Sequence, residues 1–285
     1  MFNYILYRIG QFLALSLPIK IAYAVAVFCS DLHQIFADKD RANVTANLKV
    51  IFPDKPLNEI RRIRLKMARN FAKYLVDFFR FSLIDKKYMR KMVKLENTHY
   101  LDEALARKKG VIALSAHLGN WELGGAAVAL LGYDIWAVAL KHKHKIVNDF
   151  FNKQRGIKGL KVIPLGKAVR KCLEVFGQNG IIALVGDRDF SEKGAVIDLF
   201  GKPAILPEGP AAFHLKVGAP IVPVFMVRNP DDTFTLIIDK PIEFKPSGNK
   251  NKDLPELMSK YNITLEHYIK KYPDQWYMFR KFWIK

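Results

Sequence analysis

Residues 115–124 read SAHLGNWELG and set His117 and Glu122 five positions apart, directly behind the apolar run GVIALSA. An imidazole can take a proton from a hydroxyl. A carboxylate bonded to its other nitrogen fixes the ring tautomer and supports the imidazolium that forms. Five residues of an ideal helix turn through about 500°, which puts the two side chains on different faces. They can meet if His117 lies in a strand-to-helix turn and Glu122 in the first helical turn. Gly119 permits an unusual backbone angle there. Asn120 is a good N-cap, which places Glu122 at the second helical position, where the helix N-terminus favours its ionised form. The spacing also fits a satisfied structural histidine beside an ordinary first-turn acid.

Other residues offer competing chemistry. Asp187 and Asp189 flank Arg188 behind the apolar run IIALVG, a place for the metal-binding acid pair of a nucleotide-sugar glycosyltransferase. Arg188 between them can neutralise the acids internally, which disfavours a divalent metal. His142 and His144 sit in KHKHK, where Lys141 to Lys145 repel a cation, so the segment reads as a basic patch rather than a metal site. Arg155, in NKQRG, is by itself a solvated helix charge. Glu208 and Gly209, in LPEGP, read as a helix start with Pro207 or Pro210 at its first position. Cys29 and Cys172 fit neither a disulfide framework nor a metal site, and suit a reducing compartment.

These residues need a scaffold, and the chain supplies one. Half of its 285 residues are hydrophobic, enough for a large core. Apolar runs at 111–116, 135–140, 161–165, 181–186, 220–227 and 234–239 alternate with helical patterning at 121–131, 145–155, 167–178 and 207–217. That order predicts an α/β fold, a central mostly parallel or mixed sheet flanked by helices. The last two strands are expected to form an antiparallel edge hairpin, followed by a final helix over about 254–272. In such sheets, sites form beyond the carboxyl ends of strands, where His117 sits.

Upstream, Ile60, Ile63, Met67, Phe71, Leu75 and Phe78 make one apolar face of a helix that Asn58 could cap. The first 36 residues are apolar and aromatic, broken by Arg8, Pro18 and Lys20 into runs shorter than the roughly 20 residues of a spanning helix. They read as a helical hairpin dipping into one leaflet or a tilted anchor, or as helices packed on the domain. The parse is therefore a membrane-associated helical segment over 1–36 and an α/β domain over 37–285. Lys and Arg outnumber Asp and Glu by 46 to 27. That excess predicts attraction to anionic lipid or an acidic partner; with no nucleic-acid module in the sequence, nucleic acid explains it less well.

The block SAHLGNWE resembles the His-four-residues-acid block of the glycerolipid acyltransferase superfamily. Its form H-x-G-N-W-E is similar to the late, or secondary, acyltransferases of lipid A biosynthesis. Further segments match that family in the same order: RANVTANLKVIFPDK, FFNKQRGIKGLKVIPLGKAVRKCLE, LVGDRDF, LFGKPAILPEGPAAFHLKVGAPIVPVF and the tail YPDQWYMFRKF. Family members usually carry Gln where this chain has Arg188.

The resemblance implies transfer of a fatty acyl chain from a thioester, on acyl carrier protein or coenzyme A, to a hydroxyl of a lipid A precursor or related glycolipid. His117 would be the base and Glu122 its partner. Backbone N–H groups near Gly119 and Asn120 would be the candidates for the oxyanion site of such a transfer. Arg155, Asp187, Asp189, Glu208 and Gly209 would bind substrate, with Arg155 as a phosphate fork. No metal or other cofactor is implied, nor a covalent acyl-enzyme, and the chain has no G-x-S-x-G elbow. The implied location is the cytoplasmic face of a bacterial inner membrane. Alternatives are a lysophospholipid or ornithine-type acceptor, the Asp187/Asp189 glycosyltransferase, and a non-enzymatic membrane scaffold.

Overall fold

The computed structural model describes residues 2–140, 142–189 and 194–284. Two helices open the chain, α1 (Phe2–Ser16) and α2 (Ile19–Phe36), separated at Pro18. Two more follow, α3 (Asp38–Ile51) and α4 (Leu57–Phe79). The α/β part then runs α5 (Lys86–Met92), β1 (Val93–Glu96), α6 (His99–Ala106), β2 (Val111–Ser115), α7 (Trp121–Leu130), β3 (Ile135–Ala139), α8 (Lys145–Gly156), β4 (Lys161–Pro164), α9 (Ala168–Gly177) and β5 (Ile181–Val185). It finishes with β6 (Ala195–Leu199), β7 (Lys202–Leu206), α10 (Gly209–Val217), β8 (Ile221–Arg228), β9 (Phe234–Ile238) and α11 (Lys250–Lys271).

Seven strands form one sheet in the order β1-β9-β8-β2-β5-β3-β4, parallel throughout except at the β8–β9 pair. All six strands expected from the apolar runs are in it. Their near-continuous hydrophobicity reflects burial on both faces: every residue of β8 and β9 is buried, as are the first four of β2. The antiparallel hairpin of β8 and β9 is present, but β9 is not the edge. The four-residue β1 covers it in parallel. Val-Lys-Leu-Glu is too short and too charged to read as a strand, although those properties suit an edge.

A second pairing, β6 with β7, is a separate antiparallel hairpin. It turns on Phe200 and Gly201, both with positive φ (54° and 71°), the geometry of a tight two-residue hairpin turn. Helix α4 is capped at Pro56, two residues earlier than the Asn58 cap expected. Asn58 is therefore inside its first turn, and its side chain accepts from the Glu59 N–H.

The N-terminal helices lie against α4 and α8. From α1, Tyr7 packs between Phe79, Phe150 and Phe151, with centroid distances of 5.4–6.4 Å. Arg80 donates to the Leu17 carbonyl at 3.0 Å. Only Ala22, Tyr23 and Gln34 of α2 are buried, whereas Val25, Phe28, Leu32 and Ile35 face outward. By length and composition α2 can cross a hydrocarbon core.

Tyr23 ties this layer to the sheet. Its hydroxyl donates to Asp77 on α4, which also pairs with Arg228 at the end of β8 and accepts from Asn120 Nδ2 at 3.0 Å. Arg228 reaches Tyr23 Oη and Asp232 at 3.2 Å each. Breaking a buried pair by removing one partner strands the other charge, at a cost of about 3–5 kcal/mol. Asp77→Ala should therefore lower the urea-unfolding free energy by about that much. A loss below roughly 1 kcal/mol, the scale of a surface pair, would contradict the role given to this network.

Candidate active site

Two adjacent parallel strands, β2 and β5, end beside each other, and His117 and Asp187 stand two residues beyond them. His117 Nδ1 lies 2.8 Å from Asp187 Oδ1. The His117 backbone N–H donates to Asp187 Oδ2 at 3.1 Å, and Trp276 Nε1 donates to the same oxygen at 2.9 Å. Asp187 is wholly buried and His117 is 9% exposed. Burial pushes the Asp187 carboxyl up, but the charge and hydrogen bond of His117, the Trp276 N–H and the nearby Arg188 outweigh it. The carboxyl is held below its usual range. The Trp121 indole packs edge-on to the imidazole, centroids 5.1 Å apart.

The expected pairing of His117 with Glu122 is thus corrected: the carboxylate against the ring is Asp187. Local secondary structure is as expected, with Asn120 at the N-cap of α7 and its side chain accepting from the Leu123 N–H at 3.0 Å. Glu122 falls in the first turn, but there it meets Arg155 of α8. Arg155 Nε lies 3.0 and 2.9 Å from the two carboxylate oxygens, and Nη2 is 2.5 Å from Oε1. Burial works against the Arg155 charge and Glu122 more than offsets it, so the guanidinium stays ionised. The geometry spends the planar fork of Arg155 on Glu122, with Asn152 at 3.3 Å from Nη1, rather than presenting it to a phosphate. The Glu122–Arg155 pair ties α7 to α8.

The oxyanion assignment is corrected as well. Gly119 N–H donates to the Gln275 carbonyl at 2.9 Å, and Asn120 N–H to the Met226 carbonyl at 2.7 Å. Both donors are used in holding the turn. Tyr277 N–H closes the other side by donating to the His117 carbonyl at 2.9 Å. Gly119 has φ +63°, and a Cβ there would stand 2.0 Å from the Met226 oxygen.

The remaining candidates scatter. Asp189 accepts from the Gly194 N–H, one residue ahead of β6, at 3.1 Å. Both oxygens of Asp187 face N–H groups or the imidazole, which suits an anion held by donors rather than a cation ligand. Glu208 and Gly209 open α10 as the helix-start reading expects, with Pro210 in its first turn and Glu208 beside Tyr261. In the basic patch, His142 packs on Phe151 at 4.6 Å, and burial and the charge of Arg155 lower its pKa. Lys143, His144 and Lys145 are exposed, and Lys141 lies outside the described residues.

Sequence reasoning missed the contribution of the tail. Leu118 bridges to Trp276, the Gln275 side chain bonds both backbone groups of Arg228 at 2.9 Å, and Asn47 of α3 holds the Met278 and Arg280 carbonyls. The signal was present in the aromatic run QWYMF, although nothing in its spacing links it to position 187.

Gly119→Ala combines a disfavoured φ with a backbone collision, so it should abolish activity and lower stability by more than about 1 kcal/mol. Soluble, stable and fully active Gly119→Ala protein would contradict the turn geometry.

Among curated proteins, the chain is similar to a phosphatidylinositol mannoside acyltransferase of Mycobacterium tuberculosis (strain H37Rv), 27% identical over 160 residues, covering 54% of this chain and 51% of that protein. A protein of the same description from Mycolicibacterium smegmatis is 26% identical over 226 residues, 78% of this chain and 72% of its own length. The chain thus spans about half the length of the first relative and nearly three quarters of the second. The whole chain, residues 1–285, matches the family described as bacterial lipid A biosynthesis acyltransferase. With that match, and an α/β sheet presenting His117 at the end of its central strand, the chain belongs to the bacterial lipid A biosynthesis acyltransferase family.

Proposed function

We propose that this protein transfers a fatty acyl chain from an acyl thioester to a hydroxyl of a glycolipid at a membrane surface, with His117 as general base and Asp187 as its carboxylate partner. The observation that carries the reading is the 2.8 Å contact between His117 Nδ1 and Asp187 Oδ1 at the ends of adjacent parallel strands. With Nδ1 committed to the carboxylate, Nε2 is the ring position that takes the proton from the acceptor hydroxyl. The hydroxyl oxygen attacks the thioester carbonyl. The tetrahedral intermediate then collapses, the C–S bond breaks, and the proton on His117 passes to the departing thiolate. Asp187 stays ionised throughout and stabilises the imidazolium.

Family membership supports acyl transfer, and the two mycobacterial relatives, described as acting on a phosphatidylinositol mannoside, support an acceptor that carries a sugar. Within that class we assign a lipid A precursor or related glycolipid as acceptor, and acyl carrier protein or coenzyme A as the thioester carrier. The exposed apolar faces of α1 and α2 and the formal charge of +19 support work at an anionic leaflet, on the cytoplasmic side of a bacterial inner membrane. The glycosyltransferase alternative loses support because Asp187 is engaged by His117 and Trp276.

Purified protein incubated with acyl-coenzyme A, acyl carrier protein thioesters and glycolipid acceptors should form an ester detectable by mass spectrometry. His117→Ala should remove turnover, and Asp187→Asn should cut kcat by about 10²–10⁴-fold with the fold intact. Near-normal turnover in either variant would sink the His117–Asp187 mechanism.

A further inference from the structure

Between α2, α3 and α4, well separated in the chain from His117 and Asp187, lies an open cavity of about 670 Å³ whose lining includes Arg41, Arg61, Arg64, Arg69, Asp31 and Ile35. Four arginines at one cavity is a high density of positive charge, and the two nearby acids do not balance it. Arg69 forms a two-pronged pair with Asp31 at 2.8 Å on each arm, and Arg41 pairs with Asp38 and reaches the Ile35 carbonyl at 2.8 Å. Arg61 and Arg64 have no carboxylate partner among the described residues. Among the described residues Arg64 bonds only Thr45 Oγ1, at 3.3 Å, and its Nε is buried with no hydrogen-bond partner. A buried guanidinium N–H left unsatisfied costs free energy that an anion in the cavity would recover. The surroundings work against the Arg64 charge as they stand: burial, then the neighbouring Arg41 and Arg61, lower its pKa.

The setting narrows the anion. Ile35, which lines the cavity, is 61% exposed, and the adjoining Leu32 and Phe36 at the C-terminal end of α2 are also open to solvent. An apolar rim beside arginines is the layering of a bilayer interface, with hydrocarbon outside and phosphate just above it. Planar guanidinium groups match phosphate oxygens two at a time.

We propose that the Arg41–Arg61–Arg64–Arg69 cavity binds the phosphate of an anionic glycerophospholipid headgroup, and so seats the apolar face of α2 in the leaflet at a fixed height. Its lining shares no residue with the contacts of His117 and Asp187. The inference rests on the membrane-surface part of the proposed function and not on the acyl-transfer chemistry.

The test is flotation of full-length protein with phosphatidylcholine vesicles, with and without phosphatidylglycerol. The Arg61→Gln/Arg64→Gln double variant should bind the phosphatidylglycerol vesicles about 30-fold more weakly than wild type. Lys250→Gln/Lys252→Gln, which removes the same charge from exposed positions at the start of α11, should change binding only a few-fold. Arg61 is exposed, so Arg61→Gln alone, which leaves the fold undisturbed, should still lose about fivefold. Titration with inorganic phosphate by calorimetry, and with acidic acyl carrier protein, forms the second arm. Equal loss in the two double variants would overturn the proposal, as would vesicle binding unchanged while phosphate or carrier-protein binding disappears. Acyl transfer by the wild type in detergent is measured separately. Failure of turnover and failure of vesicle binding are therefore distinguishable.

Discussion

A single buried carboxylate organises the candidate site. Asp187 has no exposed surface and receives the His117 ring, the His117 backbone N–H and the Trp276 indole N–H. Those three contacts join the end of β2, the end of β5 and the C-terminal tail. A buried charge of this kind is tolerated only when its lone pairs are filled, so the three segments must arrive together for any of them to be stable. The same requirement pre-organises the imidazole, because the ring has little room to rotate away from its partner.

Around that point the turn 117–120 is held from every side. The tail supplies Gln275 and Tyr277, β8 supplies the Met226 carbonyl, and α4 supplies Asp77. Asp77 also holds Tyr23 of α2 and Arg228 of β8. A continuous chain of polar contacts therefore runs from Tyr23 in the apolar N-terminal layer, through Asp77, to Asn120, the N-cap of α7 three residues beyond His117. The helices that would meet a membrane and the turn that would meet substrate share one buried ion pair.

Much of this was legible in the sequence. Continuous apolar runs located six of the seven strands in the main sheet, since strands covered on both faces leave that signature. Gly119 and Asn120 located the turn, since positive φ and an N-cap are demands that few residue types satisfy. The partner of His117 was not legible. Position 122 is close in the chain but its side chain leaves the helix toward α8, whereas position 187 is 70 residues away and reaches the ring only because β5 pairs in register with β2. Local spacing reports helix faces and turns; it carries no information on which strand lies alongside. The β6–β7 hairpin and β1 escaped for a related reason, being short, partly charged and stabilised by pairing more than by composition.

The central claim, that Asp187 and not Glu122 holds the His117 ring, can be measured directly. In protein labelled with ¹⁵N-histidine, the His117 Nδ1 resonance is assigned by its loss in His117→Gln. It should move in Asp187→Asn and stay in place in Glu122→Gln. A resonance that ignores the change at Asp187 and responds to the change at Glu122 would contradict the account.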